Sequence, residues 1–297
     1  MGLQTKAIKQ KIKSVKNIGK ITKTMEMVSV SKMKKTTERV VSGRVYSRYA
    51  LELLHNIATE RHISHPLLEK RNTGKILVVV ISSNKGLAGS YNLNIVKALA
   101  NYKKMREGKQ IDCITIGKQS EKAARVNGLN ILASFHNFSE KSTSEDFLAV
   151  RDVVLKEFAE NGYEAVKVIF TEFRSATSYK PFVMQLLPVK EGIYKDVLLQ
   201  NQNGEVSTEK KFSMYLFEPS EAEVLDSVIR QLLEQALFNM FLEAQASEHS
   251  ARMFAMKNAN DNASEMMDSL TLLYNQVRQG AITQEISEIV GGAAAMN

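Results

Sequence analysis

With only one cysteine, Cys113, the 297-residue chain cannot build an internal disulfide framework. That residue sits in the apolar stretch Ile111–Ile116, so a buried, inert thiol is expected. No run of about 18 apolar residues occurs, so no membrane-spanning helix is expected. The longest such run, Ile76–Ile81, has the length of a buried strand. The N-terminus is basic and amphipathic and lacks the apolar core of a secretory signal. Its Met1-Gly2 start is not followed by Ser or Thr at position 6, which is Lys6, so myristoylation is not expected. Proline is scarce: four in all, with none before Pro66 and none after Pro219. Two long terminal segments are therefore free of helix breakers.

Catalytic signatures are missing as well. There is no P-loop, no GxGxxG after a strand, no HExxH and no GxSxG. His62 and His65 form an HxxH pair with no third ligand converging on it, so a solvated loop is the expectation. His136 and His249 lack the partner patterns of a catalytic histidine. The turn Gly86-Leu-Ala-Gly89, with Lys85 beside it, could hold an anion at a helix N-terminus. The competing reading is a tight turn in which glycine allows close packing. No cofactor and no metal are expected.

Charge is unevenly placed. Residues 1–48 hold 13 Lys and Arg against Glu26 and Glu38, a balance of +11 when the whole chain carries +8. The excess belongs to one segment and implies a partner for it. In that segment Ile8, Ile12, Val15, Ile18, Ile21, Met25 and Val28 recur at steps of three and four, predicting a helix from about Leu3 to Ile57. At the other end, Ser220 and Glu223 form a capping box. From there Ile229, Leu232, Leu233, Ala236, Leu237, Met240, Phe241 and Ala244 follow a helical template. The stripe resumes through Ala255, Ala259, Ala263, Met266, Leu270, Leu273 and Val277 to Ile282, Ile286 and Ile289. A helix of that span would be on the order of 100 Å long. Either stripe alone would be wet; two such helices bury their stripes on each other as a coiled coil.

Between them the pattern changes. Lys75–Ser82, Ile111–Ile116 and Ala165–Phe173 read as strands, with helices near Ser120–Val126 and Ser144–Phe158 and after Gly89. That alternation predicts βαβ units and a mostly parallel sheet. Phe182–Leu187 and Met214–Phe217, around the Asn201–Gly204 turn, read as a hairpin or edge addition. The expected fold class is α/β plus a long antiparallel coiled coil. The N- and C-terminal helices (1–60 and 220–297) form a rod, and a central βαβ Rossmann-like domain (75–217) sits at one end.

Two rival functions fit parts of this pattern. A basic coiled-coil nucleic-acid-binding protein would use Lys20, Lys23 and Lys32–Lys35. Those cations, however, are interleaved with the apolar stripe rather than gathered before it. Acids at Glu221, Glu223, Asp226, Glu234 and Glu243 on the partner helix compensate them. A nucleotide-dependent α/β enzyme with helical arms would need phosphate-binding machinery that the motifs do not supply. Met253, Met256, Met266 and Met267 lie among small residues, either as an adaptable contact surface or as coiled-coil core.

Three separated stretches carry a family resemblance: Ile21–Lys35 (ITKTMEMVSVSKMKK), Ser247–Asn262 (SEHSARMFAMKNANDN) and Arg278–Ala293 (RQGAITQEISEIVGGA). In this order they closely resemble the signatures of the gamma-subunit family of F-type ATP synthases. Ser83–Gly89 is similar to that family's S-D-R-G-L-C-G turn, departing from it at Asn84, Lys85 and Ala88. The resemblance runs end to end and is weakest over residues 100–215. It implies a central rotor stalk inside a ring of alpha and beta subunits, coupling proton flow to ATP synthesis or hydrolysis without catalysing either. It further implies contact with an epsilon-type subunit and the membrane c-ring, no nucleic acid, no direct membrane insertion, and a peripheral place on the cytoplasmic side of a bacterial membrane. By resemblance, Arg278 and Gln279, with Thr283 and Glu285 nearby, contact a beta-subunit loop. Met25 and Arg252 lie in the neighbourhood of acidic beta-subunit segments.

Overall fold

The computed structural model describes residues 2–60, 66–69, 71–189, 218 and 220–295. His62, His65, the Asn201–Gly204 turn and Met214–Phe217 lie outside these residues. The elements run α1 (Gly2–Glu60), β1 (Lys75–Ile81), α2 (Tyr91–Met105), β2 (Gln110–Ile116), α3 (Lys118–Val126), β3 (Asn130–Phe135), a 3-10 turn (Glu145–Phe147), α4 (Leu148–Glu160), β4 (Ala165–Ser175), β5 (Ser178–Leu187) and α5 (Glu221–Ala295). The chain divides into two compact units: residues 31–251, and residues 1–30 with 252–297.

The larger unit is built on a five-stranded sheet of order β3-β2-β1-β4-β5. β1 pairs in parallel with β2 and β4, and β2 in parallel with β3. β5 closes the sheet as the antiparallel partner of β4. A strand alternates its side chains between faces. Ile76, Val78 and Val80 of β1 therefore meet Ile95 and Leu99 of α2 and Ala123 and Ala124 of α3. Leu77, Val79 and Ile81 point the other way, into a larger cluster with Val150, Val154 and Phe158 of α4 and Leu225 to Ala244 of α5. Each such fully buried side chain contributes about 1.5–3 kcal/mol. Helices thus cover both faces, which is why β1 can be a near-continuous apolar run.

β3 has no counterpart among the strands expected from sequence. It is an edge strand whose Ile131, Ala133 and Phe135 are only half-buried, so its alternation is weak and interrupted by polar residues. β2 also hides a charge within its apolar run. Asp112 is buried and accepts from Tyr163 Oη (2.8 Å), Gln110 Nε2 (3.0 Å) and Asn130 Nδ2 (2.9 Å). Burial, and then the bond to Asp112, push the Tyr163 phenol well above its ordinary range.

α5 begins as its capping box predicts: Glu223 N donates to Ser220 Oγ at 3.3 Å. From Ala236 to Arg252 it is buried nearly all round, with Glu248 the half-exposed exception. Two of its serines there are bound locally. Ser247 Oγ donates to Thr171 O (3.2 Å) and Ser250 Oγ to Ala176 O. The α5 backbone itself accepts, at Ala244 O, from Tyr91 Oη (3.0 Å). These bonds explain the hydroxyls of the Ser247–Ser250 stretch as anchors for β4 and the turn after it.

In the smaller unit the seam differs from the stripe read in the sequence. Ile18, Ile21 and Val28 are 50%, 59% and 46% exposed. Met25 is half-buried beside a seam of sheltered positions at Ile8, Ile12, Val15, Gly19, Thr22, Glu26 and Ser29. They alternate steps of four and three, a strict seven-residue period. The sequence stripe took two consecutive steps of three after Val15 and so left the seam, since one residue turns an α-helix by about 100°. On α5, Met266 and Leu273 are likewise exposed, at 54% and 43%, while Ala263 is buried and Met267, Leu270, Tyr274 and Val277 are half-buried. Hydroxyls can occupy the seam because they bond backward along their own helix: Thr22 to Ile18 O (3.1 Å) and Gly19 O (3.0 Å), Ser29 to Met25 O (2.7 Å). Gly19 lies against Ala263 and Asn260, whereas Arg39 lies over the Phe238 ring. Within the larger unit Lys32 shares Glu140 Oε1 with His249, seven residues before Arg39 reaches Phe238, so rising numbers on α1 meet falling numbers on α5 and the helices run antiparallel there.

Two glycines test this packing in opposite directions. A Cβ on Gly19 would meet Ala263 Cβ at 3.7 Å, an ordinary contact. Gly19→Ala should therefore raise stability in urea by roughly 0.5–1 kcal/mol, the helix-propensity gain. Gly117 has φ +99, and a Cβ there would lie 2.3 Å from Ser82 O. Gly117→Ala should cost at least about 2 kcal/mol in the same assay.

Candidate subunit-contact surfaces

The structure divides the six residues singled out by resemblance into two settings. Arg278, Gln279, Thr283 and Glu285 are exposed on consecutive turns of α5. Arg278, Ile282, Glu285 and Ile289 recur at steps of four, three and four, as do Gln279, Thr283, Ile286 and Val290 one position on. Two adjacent stripes of one helix therefore mix hydrogen-bonding groups with large apolar ones. Ile282, Ile286, Ile289 and Val290 are 48%, 56%, 73% and 62% exposed. Exposed isoleucine and valine in a row, rimmed by polar groups, are the chemistry of a contact surface rather than of a free helix. Arg278 brings a planar fork of donors suited to a carboxylate or to carbonyl oxygens. Arg252 is buried, and Met25 is half-buried on α1. These two residues sit within packed surfaces instead of standing on an open one.

The turn after β1 is packed and hydrogen-bonded into the fold. Ser82 and Ser83 hydroxyls lie 2.8 and 2.7 Å from Asn92 Oδ1, and Ser83 Oγ is also 2.7 Å from Lys85 O. Those groups are engaged with the turn itself. Ala88 is buried against Tyr91 and Ala251, which holds the turn down on α5. Leu87 adopts φ 60, a strained value for a side chain with a Cβ, and is 65% exposed.

Asn84 is the residue there whose chemistry is most specific. Lys118 N donates to its Oδ1 (3.0 Å), which fixes the amide orientation. Its Nδ2 then faces His136 O (3.1 Å) and Phe138 O (3.2 Å). One side chain thus ties the exit of β1 to the start of α3 and to the chain leaving β3. The sequence marked this position only as a departure from a familiar turn. What was missing was the knowledge that the exit of β3 lies alongside.

No group of three or more His, Cys, Asp or Glu residues is arranged to hold a metal among the described residues. Burial, and then the neighbouring Asp112, push the Cys113 thiol up to about 12, so it is no thiolate at neutral pH. His136 Nε2 lies 2.8 Å from Glu121 Oε2. Arg125 is first among the groups that hold the Glu121 carboxyl below its usual range.

A family profile described as ATP synthase matches residues 4–296. The ATP synthase gamma chain of Pelotomaculum thermopropionicum is 36% identical over 290 residues, covering 97% of this chain and 98% of that one. The ATP synthase gamma chain of Heliobacterium modesticaldum is 37% identical over 295 residues, with coverage of 97% and 98%. Among solved structures, a chain of the Euglena gracilis mitochondrial ATP synthase (OSCP/F1/c-ring, rotational state 3) superposes with a TM-score of 0.67 at 21% identity, over 100% of this chain and 95% of that one. A chain of the Tetrahymena thermophila mitochondrial ATP synthase central stalk/c-ring gives 0.58 at 24% identity, over 80% and 99%. These two likenesses establish the fold.

Asn84→Asp replaces two donors with a carboxylate facing two carbonyl oxygens. It should destabilise the full chain by about 1–3 kcal/mol at neutral pH. Protonating the new carboxyl restores a donor, and the two carbonyl oxygens raise its folded pKa above the unfolded value of about 4, so the deficit should shrink as pH falls from neutral to about 4 and stay level below that. Urea titrations of both proteins across that range check it.

Proposed function

Because the chain belongs to the ATP synthase gamma-chain family, we propose that it works as an asymmetric shaft, turning within a ring of alpha and beta subunits. It is a non-catalytic subunit, the central rotor stalk of the complex. The observation that carries this reading is the full-length family match laid over two continuous helices of 59 and 75 residues. No helix among the described residues is long and apolar enough to cross a membrane. By analogy with its bacterial gamma-chain relatives we place it peripherally, on the cytoplasmic side of a bacterial membrane, linked to proton flow through partners.

In this reading the helices 1–60 and 220–297 form the part that meets the catalytic ring. The α/β part, 75–217, meets an epsilon-type subunit and the membrane c-ring. A single helix pair has no threefold symmetry, so three equivalent beta subunits meet three different faces of it. Each face favours a different conformation by differential contact, and turning the pair moves those preferences around the ring. Proton flow drives the rotation toward synthesis, and ATP hydrolysis drives it in reverse.

The contact residues divide the labour by chemistry. Arg278 and Gln279, helped by Thr283 and Glu285, supply directional hydrogen bonds to a beta-subunit loop. Ile282, Ile286 and Ile289 supply apolar surface with no angular preference, suited to turning inside an apolar collar. The basic face of α1, near Met25 and Arg252, attracts acidic beta-subunit segments.

Arg278→Ala removes an exposed helix residue, so the unfolding midpoint should move by no more than about 0.5 kcal/mol. Coupled ATP synthesis by assembled complexes should nonetheless fall several-fold, because charge-assisted hydrogen bonds contribute about 1.5–3 kcal/mol. Undiminished synthesis in assembled complexes would overturn the assigned role. Failure of untagged alpha and beta subunits to copurify with the chain would overturn the wider reading.

A further inference from the structure

The chain between β3 and the 3-10 turn makes a self-bonded turn at Ser139–Ser142. Ser142 N donates to Ser139 O (3.1 Å), Ser139 N to Ser142 Oγ (3.1 Å) and Lys141 N to Ser139 Oγ (3.2 Å). It rests on a bed of aromatic rings. Phe138 stacks on Phe147 at 4.4 Å, and Phe241 of α5 lies 5.6 and 5.2 Å from the two. The turn is thus presented to both long helices as a preformed unit.

Glu140 at its tip gathers the helices. Lys32 Nζ of α1 lies 2.7 Å from Glu140 Oε1, and His249 Nε2 of α5 lies 3.6 Å from the same oxygen. Arg39 of α1 holds the backbone of the turn. Its guanidinium donates to Glu140 O (2.5 Å) and to Ser142 O, and lies over the Phe238 ring at 5.4 Å. The Lys32 and Glu140 side chains are partly exposed, at 38% and 40%, whereas His249 is 6% exposed. The lysine pair is thus screened by water, while on the histidine side the imidazole is buried and the shared carboxylate is not.

We propose that the Glu140 turn is a proton-responsive clasp: protonated His249 gives Glu140 a second cation and draws the turn down onto both long helices. Histidine is the side chain that ordinarily changes charge between about pH 5 and 8. The carboxylate of Glu140 favours the imidazolium. Lys32, on the same oxygen, opposes it, and Arg39 is engaged with the backbone oxygens of the turn. Lys141 of the turn is exposed, as is Lys85 of the turn after β1. Arg174, near the β4–β5 turn, is taken up by Glu172 at 2.8 Å. Glu248 and Arg252 are the neighbouring charges on α5 itself. The sign follows from linkage: a histidine that gains an anion in the closed state stabilises that state at low pH and releases it as pH rises. Acidification would then stiffen the grip of the sheet on α1 and α5. The consequence for torque rests on the rotor reading; the clasp itself does not.

Hydrogen exchange of the full chain, followed by mass spectrometry at about pH 6 and about pH 8 with times scaled to the chemical exchange rate, tests this. Peptides spanning residues 136–143 should be several-fold better protected at the lower pH. His249→Gln and Glu140→Gln should each abolish that difference while leaving peptides of β1 unchanged. Lys32→Met should preserve or enlarge it, because the histidine becomes the sole side-chain cation on Glu140 Oε1. Arg39→Ala should loosen the turn equally at both pH values. A pH difference that survives in either Gln variant, or vanishes in Lys32→Met, overturns the clasp. Should the buried His249→Gln protein fail to fold, the partly exposed Glu140→Gln decides alone.

Discussion

The structure depends on one constraint: α5 between Ala236 and Arg252 is enclosed on almost every side, so its polar groups there must be served by the surrounding protein rather than by water. Of its side-chain oxygens there, Gln245 Oε1 goes without a hydrogen bond among the described residues. A helix enclosed in this way is ordinarily apolar all round. This one is apolar only where it meets the sheet and α4, through Leu237, Met240 and Phe241. Past Ala244 it becomes polar, and the hydroxyls of Ser247 and Ser250 reach backbone oxygens of Thr171 and Ala176. Those bonds fix where along the helix the sheet must sit. A slip of one turn would leave the two serines and Tyr91 without their acceptors. Hydrogen bonds thus set the register that hydrophobic burial, being non-directional, cannot set alone.

The two long helices were legible because their signals are long and redundant. The capping box at Ser220 and Glu223 located the start of α5 through a local contact, and local contacts survive in any context. The strands of the sheet centre were legible for the same reason that they are buried: covered on both faces, they had to be continuous apolar runs. β3 was not, because an edge strand needs only one sheltered face, and Ile131, Ala133 and Phe135 provide a weak one. Residues 182–187 read correctly as strand, and the structure adds that it pairs antiparallel to β4.

Surface and seam were harder to separate. Ile18, Ile21 and Val28 looked like core by residue type, yet the seam runs through Gly19, Thr22 and Ser29. Residue type misleads here because a close helix pair favours small side chains, and their hydroxyls are satisfied within their own helix. The displaced isoleucines then become part of the outer surface. Arg278, Gln279, Thr283 and Glu285 were found through resemblance and stand exposed in the structure. Lys32, Arg39, Glu140 and His249 gave no joint signal, because residues scattered over more than 200 positions meet only after folding.

The seven-residue period of α1 also restricts how such a chain can change in length. From Ile8 through Ser29 the seam positions follow one another by four residues and then three, with Met25 half-buried beside them. An insertion or deletion of seven residues in each helix moves every contact by two turns and restores the pattern. Removing three residues ahead of Val15 from α1 alone brings Met25 to the place of Thr22, and removing four brings Lys23 to the place of Gly19. Lineages descended from such a protein are therefore free to lengthen or shorten the pair only in matched heptads, and indels elsewhere must collect in loops.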